Sequence, residues 1–241
     1  NFNPKNPYAI SKLFAHLMTR NFREYHNMFA VSGILFNHES PLRGEEFVTR
    51  KIVKGLVNIL NNKQKVLKVG NIDSKRDWGF AKDYVRVMWK MMQQKKPNDF
   101  VISSGKAYTV KYFIDLVLKQ LKIKGKWLGK KNERKFINEK KKVIIEISPK
   151  LIRKKEYKLL IGNSSKAKKF LNWRSKTNIK QLVKMMVTEE KKLFKSLNFK
   201  FRFLTVLQKT FNSISCQFSR IFTKIFNFFD YFWRSGYNMT I

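Results

Sequence analysis

Short apolar runs of strand length alternate with longer segments of helical period from residue 8 to residue 194. This alternation constrains the fold most, because strands separated by helices close as crossover-connected parallel pairs. The Asn6-Pro7 turn opens a helix over residues 8–25, with Leu13, Phe14 and Leu17 at helical spacing. Residues 29–36 (FAVSGILF) read as a buried strand, and 37–44 as a polar loop. Residues 45–60 read as a helix with acidic residues at its start, which suits the helix dipole. Further strands are predicted at 66–69, 100–102 and 143–147, and further helices at 81–92, 109–121, 164–171 and 178–194. Thr109 is the expected N-cap of the helix that follows it. Residues 122–142 are basic and weakly periodic and read as loop-rich. The fold class expected from this pattern is α/β, without internal repeats.

The bulk numbers exclude several classes. With 241 residues, 43% of them hydrophobic, the chain has material for one sizeable domain or two small ones. The single cysteine, Cys216, excludes an internal disulfide and a thiolate zinc cage, and it suits a reducing compartment. No signal peptide and no spanning apolar run is apparent, so a soluble, cytoplasmic protein is expected. The chain begins with Asn1 rather than Met, so an incomplete start is expected.

A formal charge of +36 points on its face to nucleic acid, an anionic membrane or an acidic partner. Lys, Asn, Ile and Phe are abundant throughout, while Gly (10) and Pro (5) are scarce, as a compositional bias would produce. No nucleic-acid motif accompanies the charge, so a solvated surface and no specific nucleic-acid partner are the preferred reading. The tail differs from the rest. Leu204, Leu207, Phe211, Ile214, Phe218, Ile221, Ile225, Phe228 and Phe232 alternate by three and four, with Lys209, Arg220 and Lys224 between them. Such a helix suits weak contact with a membrane surface or partner, packing on its own domain or copy, or a segment that is not native coding sequence.

The candidate chemistry starts at Tyr8-Ala9-Ile10-Ser11-Lys12. Four residues apart on a helix, Tyr8 and Lys12 share a face. An ammonium beside a phenol favours the phenolate, which can act as general base on a substrate hydroxyl. The spacing alone is a weak signal, since it recurs by chance. His38 alone reads as a loop hydrogen-bonding residue, Trp78 as core, and Arg76-Asp77 as a surface ion pair of little energetic weight.

The joint pattern is more specific. Gly33-Ile34-Leu35-Phe36-Asn37-His38-Glu39-Ser40-Pro41, then Arg43-Gly44 and Phe47-Val48-Thr49-Arg50-Lys51, resemble the GDP-mannose 4,6-dehydratase family. Gly70-Asn71-Ile72-Asp73 and Arg76-Asp77-Trp78-Gly79-Phe80-Ala81-Lys82-Asp83-Tyr84-Val85 match the same family at the same spacing. Arg153 and Glu156 fit its Arg-x-x-Glu, and the resemblance runs from residue 6 to residue 187. It implies the C-terminal part of a Rossmann-type extended short-chain dehydrogenase plus its smaller substrate-binding α/β domain. The implied parts are the remainder of an NADP-binding Rossmann domain at 1–60, a nucleotide-sugar domain at 61–197, and the tail at 198–241.

The resemblance also implies roles. Tyr8 is the base for the mannose 4-hydroxyl, and Lys12 lowers its pKa and binds the nicotinamide ribose. His38 and Arg43 contact NADP. Asn37, Thr49, Lys51, Arg76, Arg153 and Glu156 line the pocket for GDP-mannose. The implied lyase reaction, which opens GDP-fucose and deoxyhexose synthesis, uses NADP as a reversible hydride store around a water elimination. A homo-oligomer is implied for the complete protein. The family's glycine fingerprint, Gly-x-x-Gly-x-x-Gly, and its catalytic Thr and Glu are not among these residues. An inactive remnant or a basic scaffold module is therefore the alternative expectation. Exposed apolar surface is expected around residues 29–36, a strand whose sheet is mostly missing here.

Overall fold

The computed structural model describes residues 2–152 and 159–213, with side chains through Ser196. In chain order the elements are α1 (Pro7–Tyr25), β1 (Gly33–Leu35), β2 (Asn37–Glu39), α2 (Val48–Leu60), β3 (Leu67–Val69), β4 (Lys75–Phe80), α3 (Ala81–Met92), β5 (Phe100–Ile102) and β6 (Ala107–Thr109). There follow α4 (Val110–Gln120), β7 (Gly125–Leu128), β8 (Lys135–Asn138), β9 (Val143–Ile147), β10 (Leu159–Leu160), α5 (Ser165–Leu171) and α6 (Ile179–Ser213). The chain divides into a unit of Asn1–Lys191 and a second unit from Lys192 onward.

Among the described residues, three small sheets organise the first unit. β1 pairs in parallel with β5, with Gly33 opposite Phe100 and Leu35 opposite Ile102. β4 runs parallel to both β2 and β10 and antiparallel to β6. β3 pairs in parallel with β9, which continues antiparallel through β8 to β7. The alternation of strand and helix thus gives the expected α/β class, with crossover helices between the parallel partners.

The core follows the helical periodicity. Ile52, Val53, Leu56 and Val57 of α2 meet the layer containing Phe113, Ile114 and Val117 of α4, and all are fully buried. A second cluster joins Tyr84, Val87 and Met91 of α3 to Phe100 and Ile102 of β5, and to Ala167, Leu171 and Trp173. Each such side chain contributes about 1.5–3 kcal/mol when fully buried. Ile179, Leu182, Val183, Met186 and Val187 bury one stripe of α6 at i, i+3, i+4, i+7, i+8 spacing.

Several expectations change. The strand expected over residues 29–36 is only Gly33–Leu35, and part of the expected polar loop is a strand, Asn37–Glu39. The chain changes partners at Phe36, leaving β5 for β4, and this divides one apolar run between two sheets. The helix expected from residue 45 begins at Val48, with Phe47 at the N-cap position. The supposed loop 122–142 holds β7 and β8, because their lysines face solvent while Trp127 and Phe136 pack edge to face at 5.5 Å. The heptad seam of the tail lies outside the described residues from Ile214 on. Among the described residues no helix is long and apolar enough to cross a membrane, and no group of three acidic, His or Cys side chains is placed to hold a metal.

Candidate active site

The site begins where α1 begins. Asn6 is its N-cap, accepting the Ala9 N–H at 2.8 Å, and Pro7 occupies the first turn, where a missing N–H costs nothing. That start places Tyr8 and Lys12 on one face, with the Lys12 Nζ 5.4 Å from the Tyr8 ring centroid. Tyr8 is 70% exposed, so the phenol is open to a substrate.

β2 lies beside β4, which sets the next residues in register. Asn37 is opposite Trp78, His38 opposite Gly79, and Glu39 opposite Phe80. The His38 Nδ1 donates to the Phe36 carbonyl oxygen 3.0 Å away, and this bond fixes the orientation of the ring. The His38 ring centroid is 5.5 Å from that of Tyr84. Gly79 lies directly under Tyr84: a Cβ there would sit 2.3 Å from the ring. Burial, and then Asp77, Asp83 and Glu39, push the Tyr84 phenol upward, so it stays protonated.

Glu39 is the buried hub of the following loop. It is 3% exposed and accepts the Thr49 hydroxyl at 2.5 Å, while the Arg43 Nε lies 3.4 Å away. Burial raises its pKa above the ordinary carboxylate value, and Thr49 and Arg43 oppose that rise. The Arg43 guanidinium also lies 3.5 Å from the Phe47 ring centroid. A second arginine fixes the same loop from behind. Arg50 donates to the Pro41 carbonyl at 2.7 Å and pairs with buried Glu190 at 2.8 Å.

The expected substrate residues divide. Arg76 sits on β4 opposite Tyr108 of β6, and its Nη1 donates to the Lys75 carbonyl at 2.8 Å. Lys51 lines an open cavity of about 380 Å³ with Glu45, Lys54 and Lys68. Thr49 does not present its hydroxyl to a pocket. It is fully buried and bonded to Glu39, because the first turn of α2 packs it inward. Arg153 and Glu156 lie outside the described residues.

Asp77 is not a surface ion-pair residue. It is fully buried and accepts from Ser104 N (2.8 Å), Ser104 Oγ (2.6 Å), Gly105 N (2.9 Å) and Gly162 N (3.2 Å). It ties the β5–β6 turn and the segment after β10 to β4. Sequence reasoning missed Asp77 and Glu39 as organisers. The one available signal for Glu39 was Arg43 four residues on, and for Asp77 there was none. Trp78 is core, 3% exposed against Phe113, as expected.

Residues 1–186 match the family model described as GDP-mannose 4,6 dehydratase. The chain belongs to the GDP-mannose 4,6-dehydratase family. It is 45% identical over 190 residues to GDP-mannose 4,6 dehydratase of Dictyostelium discoideum, covering 78% of this chain and 53% of that protein. It is 44% identical over 194 residues to GDP-mannose 4,6 dehydratase 1 of Arabidopsis thaliana, covering 80% and 49%. The chain thus spans about half the length of the curated relatives it matches. Among solved structures, RMD from Pseudomonas aeruginosa complexed with NADPH superposes with a TM-score of 0.66 at 19% identity, covering 79% of this chain and 58% of that one. The dTDP-glucose 4,6-dehydratase of Bacillus anthracis, in complex with NAD, gives 0.63 at 18%, covering 79% and 53%. These likenesses show the Rossmann-type extended short-chain dehydrogenase fold.

Proposed function

We propose that this chain supplies the sugar-facing side of a GDP-mannose 4,6-dehydratase, a lyase that converts GDP-mannose to GDP-4-dehydro-6-deoxy-mannose with NADP. The observation that carries this reading is Tyr8 and Lys12 on one open helix face, within a chain whose residues 1–186 match that family.

The residues present fit an anionic dinucleotide. Arg43 is braced between the Phe47 ring and the Glu39 carboxylate, and its Nε is buried without a hydrogen-bond partner. His38, held by its bond to the Phe36 carbonyl, keeps Nε2 for a ligand. His38 and Arg43 would hold the cofactor from this side, and Lys12 its ribose. NADP, when bound, would supply a reversible hydride store for carbons 4 and 6 of the sugar. Tyr8 accepts the proton of the 4-hydroxyl, and the Lys12 ammonium stabilises the phenolate that does so. Lys51 and Arg76 are cations for the pyrophosphate of GDP-mannose, Arg76 through bidentate hydrogen bonds. Arg153 and Glu156 join them by their match to the family motif. Asn37 orients the sugar side from β2, and Thr49 acts from behind by holding Glu39.

Titration calorimetry of the full chain with GDP-mannose tests the reading. Saturable binding is expected, weakened about tenfold or more by Arg76→Ala, as loss of a charged hydrogen-bond pair implies. Equal affinity for GDP-mannose and UDP-glucose, or no effect of Arg76→Ala, sinks it.

A further inference from the structure

An open cavity of about 750 Å³ lies at one end of the β3–β9 sheet. Its lining comes from four stretches that only the fold brings together. Leu60 ends α2, Lys65 and Val66 precede β3, Lys122 to Lys124 follow α4, and residues 138–144 carry the chain from β8 into β9. β3 and β9 run in parallel, so the cavity sits at the N-terminal ends of both. The family motif at Arg153 and Glu156 follows the C-terminal end of β9 instead. α2 separates the two ends: Thr49 in its first turn bonds to Glu39, and Leu60 at its last residue lines the cavity. Its 13 residues span about 20 Å at 1.5 Å per residue. The cavity borders the one lined by Lys51 at Gln64 and Val66, and its lining includes none of Tyr8, Lys12, His38, Arg43 and Arg76. It is a second site, apart from the first.

Five lysines rim this opening: Lys65, Lys122, Lys124, Lys140 and Lys142. One carboxylate stands among them, Glu139, 3.7 Å from the Lys124 ammonium. Among the described residues, the side chains of the other four lysines make no ion pair or hydrogen bond. A helix C-terminus favours a cation beside it, which accounts for Lys122 after α4. It does not account for Lys140 and Lys142, which a tight turn presents. The Asn138 carbonyl accepts the Lys141 N–H at 2.9 Å, and the Asn138 Oδ1 accepts the Lys142 N–H at 3.0 Å. Like charges gathered round one opening repel, and a polyanion relieves that repulsion. Leu60, Ile123, Val143 and Ile144 make the walls apolar, which strengthens charge interactions against them.

We propose that this cavity binds a small molecule carrying a run of linked phosphates. The inference stands apart from the dehydratase reading. Several ammoniums on flexible stems suit several phosphates, because each acts as a point charge and needs no fixed fork geometry. The volume falls within the range of about 300–1,000 Å³ that small-molecule sites occupy. Single-stranded nucleic acid is disfavoured, since its bases stack on aromatic side chains and none lines the cavity among the described residues. The shared chemistry has two sources, an inorganic polyphosphate and a nucleoside triphosphate.

Titration calorimetry of the full chain with tripolyphosphate, and separately with ATP, tests this at about 0.1 M salt, where screening acts within about 10 Å. Saturable one-to-one binding of at least one probe is expected. Preference for tripolyphosphate indicates the inorganic source, and equal or tighter binding of ATP the nucleotide. The double substitution Lys122→Gln, Lys142→Gln weakens binding about tenfold or more, as loss of two charged hydrogen bonds implies. Lys65→Gln with Lys140→Gln acts in the same way, so the outcome does not hang on one variant's folding. The control is Lys180→Gln with Lys184→Gln, two exposed positions of α6. It removes the same charge from the chain and leaves the affinity unchanged. An equal loss in the control, or binding of many probe molecules without saturation, shows general charge alone and overturns the inference. Displacement of the probe by GDP-mannose places it in the other site and overturns it too. So does binding of a long RNA when neither small probe binds.

Discussion

At the scale of single residues, the site depends on side chains that do not touch a substrate. Glu39 receives the Thr49 hydroxyl and braces Arg43, so one buried carboxylate links α2 to the arginine expected on the cofactor. Gly79 serves a different need. Its missing Cβ lets the Tyr84 ring lie against β4 directly opposite His38. Gly79→Ala is expected to displace Tyr84 or strain β4 and to cost about 1–3 kcal/mol, as overpacking a filled core does. A urea melt of the variant within about 0.3 kcal/mol of the parent would show that the ring yields freely. These two positions mark a limit of sequence reading. The Asn37-His38-Glu39 block was legible as a motif, yet which member faces the ligand depends on how the strand lies against α2. A one-residue change of strand exit exchanges inward and outward side chains, and that decides between Glu39 buried and Glu39 exposed.

At the scale of elements, the helices were the most legible because their signals are local. Thr109 caps α4 by accepting the Tyr112 N–H at 3.0 Å, and Asn6-Pro7 starts α1. Strand limits were less legible. Residues 29–36 form one apolar run in sequence, but strand length is fixed by the partner, and β5 offers only Phe100–Ile102. The basic segment 122–142 hid β7 and β8 for the converse reason, since its outward lysines outnumber the few inward apolar residues. The Arg23–Asp99 pair is likewise a tertiary fact, 76 residues apart in sequence. The hydrogen bonds from Arg23 hold the Asp99 carboxyl below its ordinary value of 3.8, against a smaller opposing effect of burial. A depressed carboxylate contributes stability above its unfolded value and loses it as pH falls through the folded one. Asp99→Asn is therefore expected to be less stable than the parent at pH 6, with the difference shrinking below 3.8. Melts at a series of pH values check this, and a difference independent of pH contradicts it.

At the scale of the whole molecule, charge and apolar exposure act together. A net charge of +36 repels itself across the fold. Screening within about 10 Å at 0.1 M salt relieves much of that repulsion. The melting temperature of the full chain is expected to rise between about 20 and about 300 mM sodium chloride, the range over which the screening length falls most. A flat or falling profile would mean that paired charges such as Arg50–Glu190 outweigh the excess lysines.

The sequence by itself determined the α/β class, the start of α1, the pairing of Tyr8 with Lys12 and the family. All of these rest on neighbours within a few residues or on a motif read in order. Tertiary structure alone decided that the Thr49 hydroxyl is buried on Glu39, that Asp77 is a buried staple for three segments, and that the chain leaves β5 for β4 at Phe36. These depend on which distant backbone groups meet. A buried polar group must find its partners wherever the chain brings them, so its role is written in the packing and not in its neighbours along the sequence.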